Sequence, residues 1–280
     1  MFALSTVLQQ RGTLQVPELS FRHPGSLVRL ALRPVWLLSL GIMALGWVLQ
    51  AAALNRGRVA IVQTFLTMTL VFALPLGAWL TAQRVTRREV VAAIAIVVGV
   101  SVFAVVGNPA DGQSNAPGGE WLLATLIVTA GCAVILWAGN RGTTSDRAAA
   151  NGAVSGATAG LTAVMAKPVL AELHHGLSVL LSDPKLYIVI VYGALGVVYQ
   201  QFGLATGRLA PTVAAGSVAS PVVSVLLGAA ILEERLECPA WHVVIGVAAL
   251  AVAMIAAVVI ANAQQDEPAA PALPTPAGAS

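Results

Sequence analysis

Two glutamines at matching positions in long apolar segments are the polar side chains best placed for binding chemistry. Gln50 and Gln200 lie 150 positions apart, each four residues after a glycine and four before a leucine. In a helix, that spacing puts each amide on the same stripe as its glycine. An amide both donates and accepts hydrogen bonds. The pair therefore predicts either two groups that orient a polar ligand or a hydrogen-bonded contact between two helices.

Other polar and aromatic residues accompany the two glutamines. Tyr199, Gln201 and Trp47 flank them, and aromatic rings beside amides suit a small organic ligand. Two more apolar segments carry amide and hydroxyl side chains at helical spacing: Gln63, Thr64, Thr67 and Thr69 on one, and Thr212, Ser217, Ser220 and Ser224 on the other. These side chains are predicted either to line a cavity or to bond to their own helix backbone.

One lysine and three prolines complete the candidate site. Lys167 stands near the end of an apolar segment, where it either binds an anion or a transferred proton or reaches to the interface as an anchor. Pro75, Pro211 and Pro221 interrupt predicted helices. They are expected to act as hinges beside a site or as simple kinks.

Several kinds of chemistry lack the residues that they need. No Asp or Glu falls in the middle of a complete apolar segment, and a hard divalent cation prefers carboxylate oxygens. The adjacent His174 and His175 cannot share one helical face. Cys132 and Cys238 have no partners at metal-ligand spacing. We therefore expect no enzyme activity, no metal site, no cofactor and no nucleic-acid partner.

Composition indicates that these segments lie in a membrane. Hydrophobic residues make up 58% of the 280 residues, charged residues only 10%, and the mean hydropathy is +0.84. A helix needs roughly 20 apolar residues to cross the hydrocarbon core. Complete spans are predicted at 35–54, 59–81, 88–107, 119–139, 148–168, 186–205, 210–232 and 240–262. Residues 1–10 are expected to be a first span that has been cut short.

The basic residues predict the orientation. Alternate loops hold most of the arginines: Arg11, Arg22, Arg29, Arg33, Arg84, Arg87, Arg88, Arg141, Arg147 and Arg208. The positive-inside rule puts these loops in the cytoplasm, with the N-terminus outside and the C-terminus inside. The formal charge of +3 is then explained by topology, and the cytoplasmic membrane is the expected location.

The two glutamines belong to a longer repeat, G-x-V-x-Q-x-x-x-L-x-x-G-R-x-A, which begins at Gly46 and again at Gly196. The equivalent loops 82–88 and 233–237 carry opposite charge bias, basic in the first and acidic in the second. Opposite bias indicates that the halves are inserted in opposite directions. We predict an inverted repeat with halves 1–107 and 119–262, two segments at the membrane interface (11–33 and 169–183), and a disordered tail at 263–280.

The stretch Ser220–Leu236, followed by the glycine-containing last helix, resembles the ending of the drug/metabolite transporter superfamily, which has the EamA-like fold. Pro34 and Trp36 at the start of the second span resemble the NIPA-like branch. The resemblance implies an all-α membrane protein of about nine spans, four in the first half and five in the second. It also implies a monomer that moves a small metabolite or amphipathic solute by alternating access. A basic residue at the position of Lys167 recurs in that superfamily.

Two alternatives remain open at the level of sequence. NIPA-like proteins are linked to magnesium transport, but the apolar segments here lack the carboxylates for that cation. The scarcity of ionisable residues within the spans also suits a non-transporting membrane protein that handles a lipid or assembles with a partner.

Overall fold

In the computed structural model, the described residues are 1–16, 24–54, 68–81, 85–106, 118–172, 176–231 and 240–263. They form α-helices, and no strand occurs among them. The helices are α1 (Phe2–Thr13), α2 (Pro24–Ala31), α3 (Pro34–Leu54), α4 (Thr69–Thr81), α5 (Arg87–Val106), α6 (Gly118–Arg141), α7 (Thr144–Glu172), α8 (Leu177–Ser182), α9 (Pro184–Ala205), α10 (Leu209–Ile231) and α11 (Ala240–Ala263).

Among the described residues, four helices are long and apolar enough to cross a membrane, judged by length and composition: Gly118–Arg141, Pro184–Ala205, Leu209–Gly228 and Trp241–Ala263. Two shorter apolar helices cover Pro34–Gly46 and Thr69–Thr81. Large apolar side chains such as Ile127 and Val134 are exposed on the outer surface, where lipid would cover them. The chain is thus an all-α, membrane-like protein.

Reciprocal capping boxes begin two of the helices. At α5, the Thr86 N–H donates to Glu89 Oε2 at 2.7 Å and the Glu89 N–H donates to Thr86 Oγ1 at 3.3 Å. At α7, the Thr143 N–H donates to Asp146 Oδ2 at 2.8 Å and the Asp146 N–H to Thr143 Oγ1 at 3.2 Å. Each box satisfies two N–H groups that have no partner within the helix, so the sequence specifies both starting points.

A stripe of small residues joins α7 to α10. Gly152, Gly156 and Gly160 repeat every fourth residue and face the backbone carbonyls of Thr212, Gly216 and Ser220, respectively. A Cβ added at Gly160 would lie only 2.6 Å from the Ser220 oxygen. Small residues at this spacing let two membrane helices approach backbone to backbone. The stripe makes α7 and α10 the most closely packed pair of helices.

Helices α5 and α11 pack antiparallel. Gly99 lies against Ala249 and Ala253, whereas Gly246 lies near Phe103 and Val106, so the order of contacts runs in opposite directions along the two helices. The adjoining core contains Ile96 and Ile260, both without solvent exposure. Helix α1 packs separately against α3, α4 and α9.

The turn between α9 and α10 explains why the repeated Gly-Arg pair begins with glycine. Gly207 has a φ of 78°, which favours glycine, and its N–H donates to the Leu204 carbonyl at 3.1 Å. The preceding Thr206 N–H donates to the Gly203 carbonyl at 3.2 Å. The following Arg208 is buried in the same turn. Its counterpart pair, Gly57 and Arg58, lies outside the described residues.

The bounds of α7 and α1 differ from the predicted ones, and α7 begins at Thr144, before the predicted start at 148. Helix α7 continues past Lys167 and Pro168 to Glu172, so Lys167 does not end it, and only Leu177–Ser182 of the predicted interfacial segment 169–183 forms a separate helix. Helix α1 runs beyond residue 10 to Thr13. Several predicted features lie outside the described residues: the loops 82–84 and 232–239, the first part of the span 59–81, and the tail from 264.

Candidate functional site

A cavity of about 310 Å³ lies among α1, α4, α7, α9 and α10. Its lining consists of small, hydroxyl and amide residues with a few apolar ones: Phe2, Thr6, Thr69, Gly152, Ser155, Gly156, Ala159, Gln200, Thr212, Val213, Gly216, Ser217 and Ser220. None of these side chains is ionisable. The volume is at the lower end of the range for sites that hold small organic molecules.

The close approach of α7 and α10 forms one wall of this cavity. Gly152, Gly156 and Gly216 supply backbone where other residues would place side chains. Because these positions carry no Cβ, the backbones of α7 and α10 come close together at this wall.

Hydroxyl groups form the polar part of the lining. Ser155, Ser217 and Ser220 form no hydrogen bond through their hydroxyls with any other described residue. The Thr212 hydroxyl, by contrast, donates to the Arg208 carbonyl at 2.8 Å within its own helix. The three serines therefore have both a donor and an acceptor to offer to a bound molecule.

Proline adds an acceptor to this wall. Pro221 lies inside α10 and has no N–H, so the helical hydrogen bond from position 221 to the Ser217 carbonyl is missing. Ser217 lines the cavity. Pro211 stands in the first turn of the same helix, so the cavity-lining part of α10 lies between two prolines.

Gln200 enters the cavity from α9 and is half-buried. Its Nε2 lies 3.4 Å from Oε1 of Gln9, a long hydrogen bond. The next residue, Gln201, donates from Nε2 to the same Gln9 oxygen at 2.8 Å. One acceptor therefore links two neighbouring amides of α9 to α1.

The network continues through α1 to α3. Trp36 Nε1 donates to Gln201 Oε1 at 3.2 Å, and Gln9 Nε2 donates to Ser5 Oγ, also at 3.2 Å. Ser5 Oγ in turn donates to the Ser39 carbonyl at 2.8 Å. Gln9 and Gln201 are each only 2% exposed. A buried chain of hydrogen bonds thus ties three helices together beside the cavity.

The structure brings some of the predicted site residues to the cavity and puts others elsewhere. Gln200, Thr69, Thr212, Ser217 and Ser220 line it. Gln201 lies next to it in the buried network.

Tyr199 is not part of the lining. It packs instead against the apolar cluster that contains Trp121 and Cys132, with the Phe202 ring 6.0 Å away and perpendicular. Neighbours in sequence on a helix point in different directions, which separates Tyr199 from Gln200.

Other predicted site residues cannot be located in the same way. Gln63 lies outside the described residues, as do the side chains of Trp47, Gln50 and Lys167, whose backbones belong to α3 and α7. Pro75 lies inside α4 and is exposed away from the cavity. Within the described part of the chain, no group of three His, Cys, Asp or Glu side chains is arranged to hold a metal ion.

The sequence analysis did not identify Gln9 and Trp36 as hydrogen-bond partners of Gln200 and Gln201, or Ser5 as a partner of Gln9. Gln9 contacts α9 through the amides of Gln200 and Gln201. The spacing of Ser5 and Gln9, four residues apart, indicates one shared helical face and is the signal that was present. The glycine stripe of α7 also had a visible signal in its regular spacing.

Comparison with known proteins identifies one relative of comparable length. The chain is 29% identical over 250 residues to an uncharacterized protein of Corynebacterium glutamicum, and the match covers 89% of this chain and 86% of that protein. No protein-family profile matches the chain. No solved structure matches it either.

Proposed function

We propose that the protein is a secondary transporter of the cytoplasmic membrane that moves a small polar metabolite or amphipathic solute by alternating access. The observation that carries the proposal is the cavity of about 310 Å³, whose described lining has no ionisable side chain but includes the Gln200 amide and three serine hydroxyls that bond to no other described residue. It lies among helices from both parts of the chain, where transporters built from repeats bind their substrates.

Inverted halves at 1–107 and 119–262 are part of this proposal. The antiparallel packing of α5 and α11 supports them, because equivalent helices of an inverted repeat run in opposite directions. The glycines of the repeat support them as well: Gly46 of α3 meets Phe2 of α1, and Gly196 of α9 meets Thr158 of α7. We further propose about nine spans, an external N-terminus, a monomeric protein and membership of the drug/metabolite transporter superfamily.

Alternating access requires two helix arrangements around one site. Pro211 and Pro221 border the cavity-lining part of α10, and the glycines of the α7 stripe carry no side chains that would project into α10. Smooth contacts of this kind allow helices to shift against each other, and the prolines supply points where α10 can bend.

The cavity chemistry favours an uncharged or zwitterionic polar solute over a metal ion. The hydroxyls, the amide and the freed Ser217 carbonyl all form hydrogen bonds, and no carboxylate is among the lining residues. Magnesium, which takes carboxylates and water as ligands, is the weaker transporter variant.

Ligand screening by thermal shift tests the proposal. The full-length protein in detergent is melted with amino acids, nucleosides, polyols, quaternary amines, lipid head groups and divalent cations in turn. A ligand of the folded state raises the melting temperature by mass action. Ser217→Ala should weaken the response to the active class by roughly tenfold in affinity, since one hydrogen bond is lost.

Ser101→Ala is the matched control. The Ser101 hydroxyl donates to the Val97 carbonyl within α5, away from the cavity, so its removal should leave the response unchanged. A response that persists in Ser217→Ala and Gln200→Ala would put the ligand elsewhere and contradict the cavity as the site.

A non-transporting membrane protein is the second candidate. The observation in its favour is the Gln9–Gln201–Trp36 network, whose side chains hydrogen-bond to one another. Such bonds are typical of contacts that hold membrane helices together. This candidate predicts that no amino acid, nucleoside, polyol, quaternary amine or divalent cation in the screen raises the melting temperature.

A further inference from the structure

A second cavity, of about 490 Å³, is a groove on the outer surface between α5 and α11. Its walls are almost wholly apolar and include Val91 and Ala95 of α5 and Val252 and Val259 of α11. The lining runs from residue 87 to 95 on α5 and from 252 to 259 on α11, which is about 10–12 Å of helix. An apolar furrow of this length on a membrane helix pair suits a hydrocarbon chain.

One end of the groove is strongly basic. Arg87 and Arg88, the first two residues of α5, line it there, and both are exposed. Within the described part of the chain, neither guanidinium forms an ion pair. The nearby Glu89 is buried, and its Oε2 accepts hydrogen bonds from the N–H and hydroxyl of Thr86 in the capping box.

Two guanidinium groups next to an apolar groove suit a molecule that has both an anionic head group and a hydrocarbon chain. Arginine recognises phosphate through paired N–H donors, and the furrow removes apolar surface from water. Basic residues at the ends of membrane helices attract anionic lipids. A soluble phosphate would leave the furrow empty, and a neutral lipid would leave the arginines without a counter-charge.

We propose that this groove is a binding site for an anionic phospholipid, with the phosphate at Arg87 and Arg88 and an acyl chain along α5 and α11. The site is separate from the cavity that contains Gln200, and it does not depend on the protein being a transporter. Because α5 and α11 belong to different parts of the chain, a bound lipid bridges them.

Native mass spectrometry of the full-length protein, delipidated in detergent, tests the proposal. Phosphatidylglycerol and phosphatidylcholine of the same acyl chains are titrated separately. Two arginines near the surface should favour phosphatidylglycerol by roughly thirty-fold in affinity. R87Q/R88Q should abolish that preference. Equal affinity for the two lipids in the unmodified protein would overturn the proposal.

Matched variants separate the site from general charge. R29Q/R147Q removes two other exposed arginines and should keep the preference; a loss equal to that of R87Q/R88Q would overturn the site. Ala95→Trp fills the groove and keeps both arginines, so it should weaken phosphatidylglycerol binding; unchanged binding would contradict the acyl position. Glycerol 3-phosphate should not compete, and effective competition would rule out the lipid as occupant.

Discussion

Gln9 is at the centre of the buried network that joins α1, α3 and α9. Its single oxygen accepts from both Gln200 and Gln201, and its nitrogen donates to Ser5. Removing the amide leaves a buried donor of Gln201 without that partner. In a membrane protein such a loss is moderated, because the unfolded chain in the bilayer also finds partners.

A double-mutant cycle measures this contact. Gln9→Leu and Gln201→Leu should each lower the free energy of unfolding, and the double variant should cost less than the sum of the two. We expect a coupling of roughly 0.6–1.7 kcal/mol, the range for hydrogen bonds between membrane helices. Unfolding in mixed micelles supplies the free energies. Strictly additive effects would show that the two amides do not interact.

At the scale of elements, the stripe of glycines in α7 decides how closely α10 can approach. Gly156 faces the carbonyl and Cα of Gly216, so there is no room for a methyl group. Gly131 of α6 is the opposite case, with nothing within 4 Å of an added Cβ. Replacing glycine by alanine at each of these two positions therefore separates the effect of packing on stability from the effect of helix propensity.

Gly156→Ala should lower the free energy of unfolding by roughly 1–3 kcal/mol, because the two helices must separate. Gly131→Ala should be neutral or stabilising by up to about 1 kcal/mol, since alanine favours the helix. Unfolding of both variants in the same micelles makes the comparison direct. If both variants behave alike, the close contact between α7 and α10 does not contribute to stability.

At the scale of the whole molecule, the sequence predicts the helices well and their contacts poorly. The apolar segments at 35–54, 88–107, 119–139 and 186–205 agree closely with α3, α5, α6 and α9 because length and hydropathy determine them. Helix α7 ends at Glu172, beyond the predicted end at residue 168, because the chain remains helical past Pro168. A proline inside a membrane helix is tolerated where neighbouring groups satisfy the backbone.

The candidate site was predictable in part. The position of Gln200 and the hydroxyl faces of α10 follow from helical spacing, and these residues line the cavity. The partner of Gln200 did not follow, because the spacing of Ser5 and Gln9 indicates one polar face of α1 but not that this face meets α9. Tyr199, next to Gln200 in sequence, packs in the apolar cluster with Trp121 and Cys132, since proximity along the chain does not give a shared direction on a helix.

The central claim is that one cavity is accessible from both sides of the membrane. Labelling of an introduced cysteine from each side tests this claim most directly. With Cys132 and Cys238 replaced by alanine, Ser217→Cys is exposed to an impermeant thiol reagent in right-side-out and inside-out vesicles. Ile127→Cys, which is exposed midway along α6, is the control and should react from neither side. We predict that the cysteine at position 217 reacts in both vesicle orientations. Reaction from one side only, or from neither, would contradict alternating access.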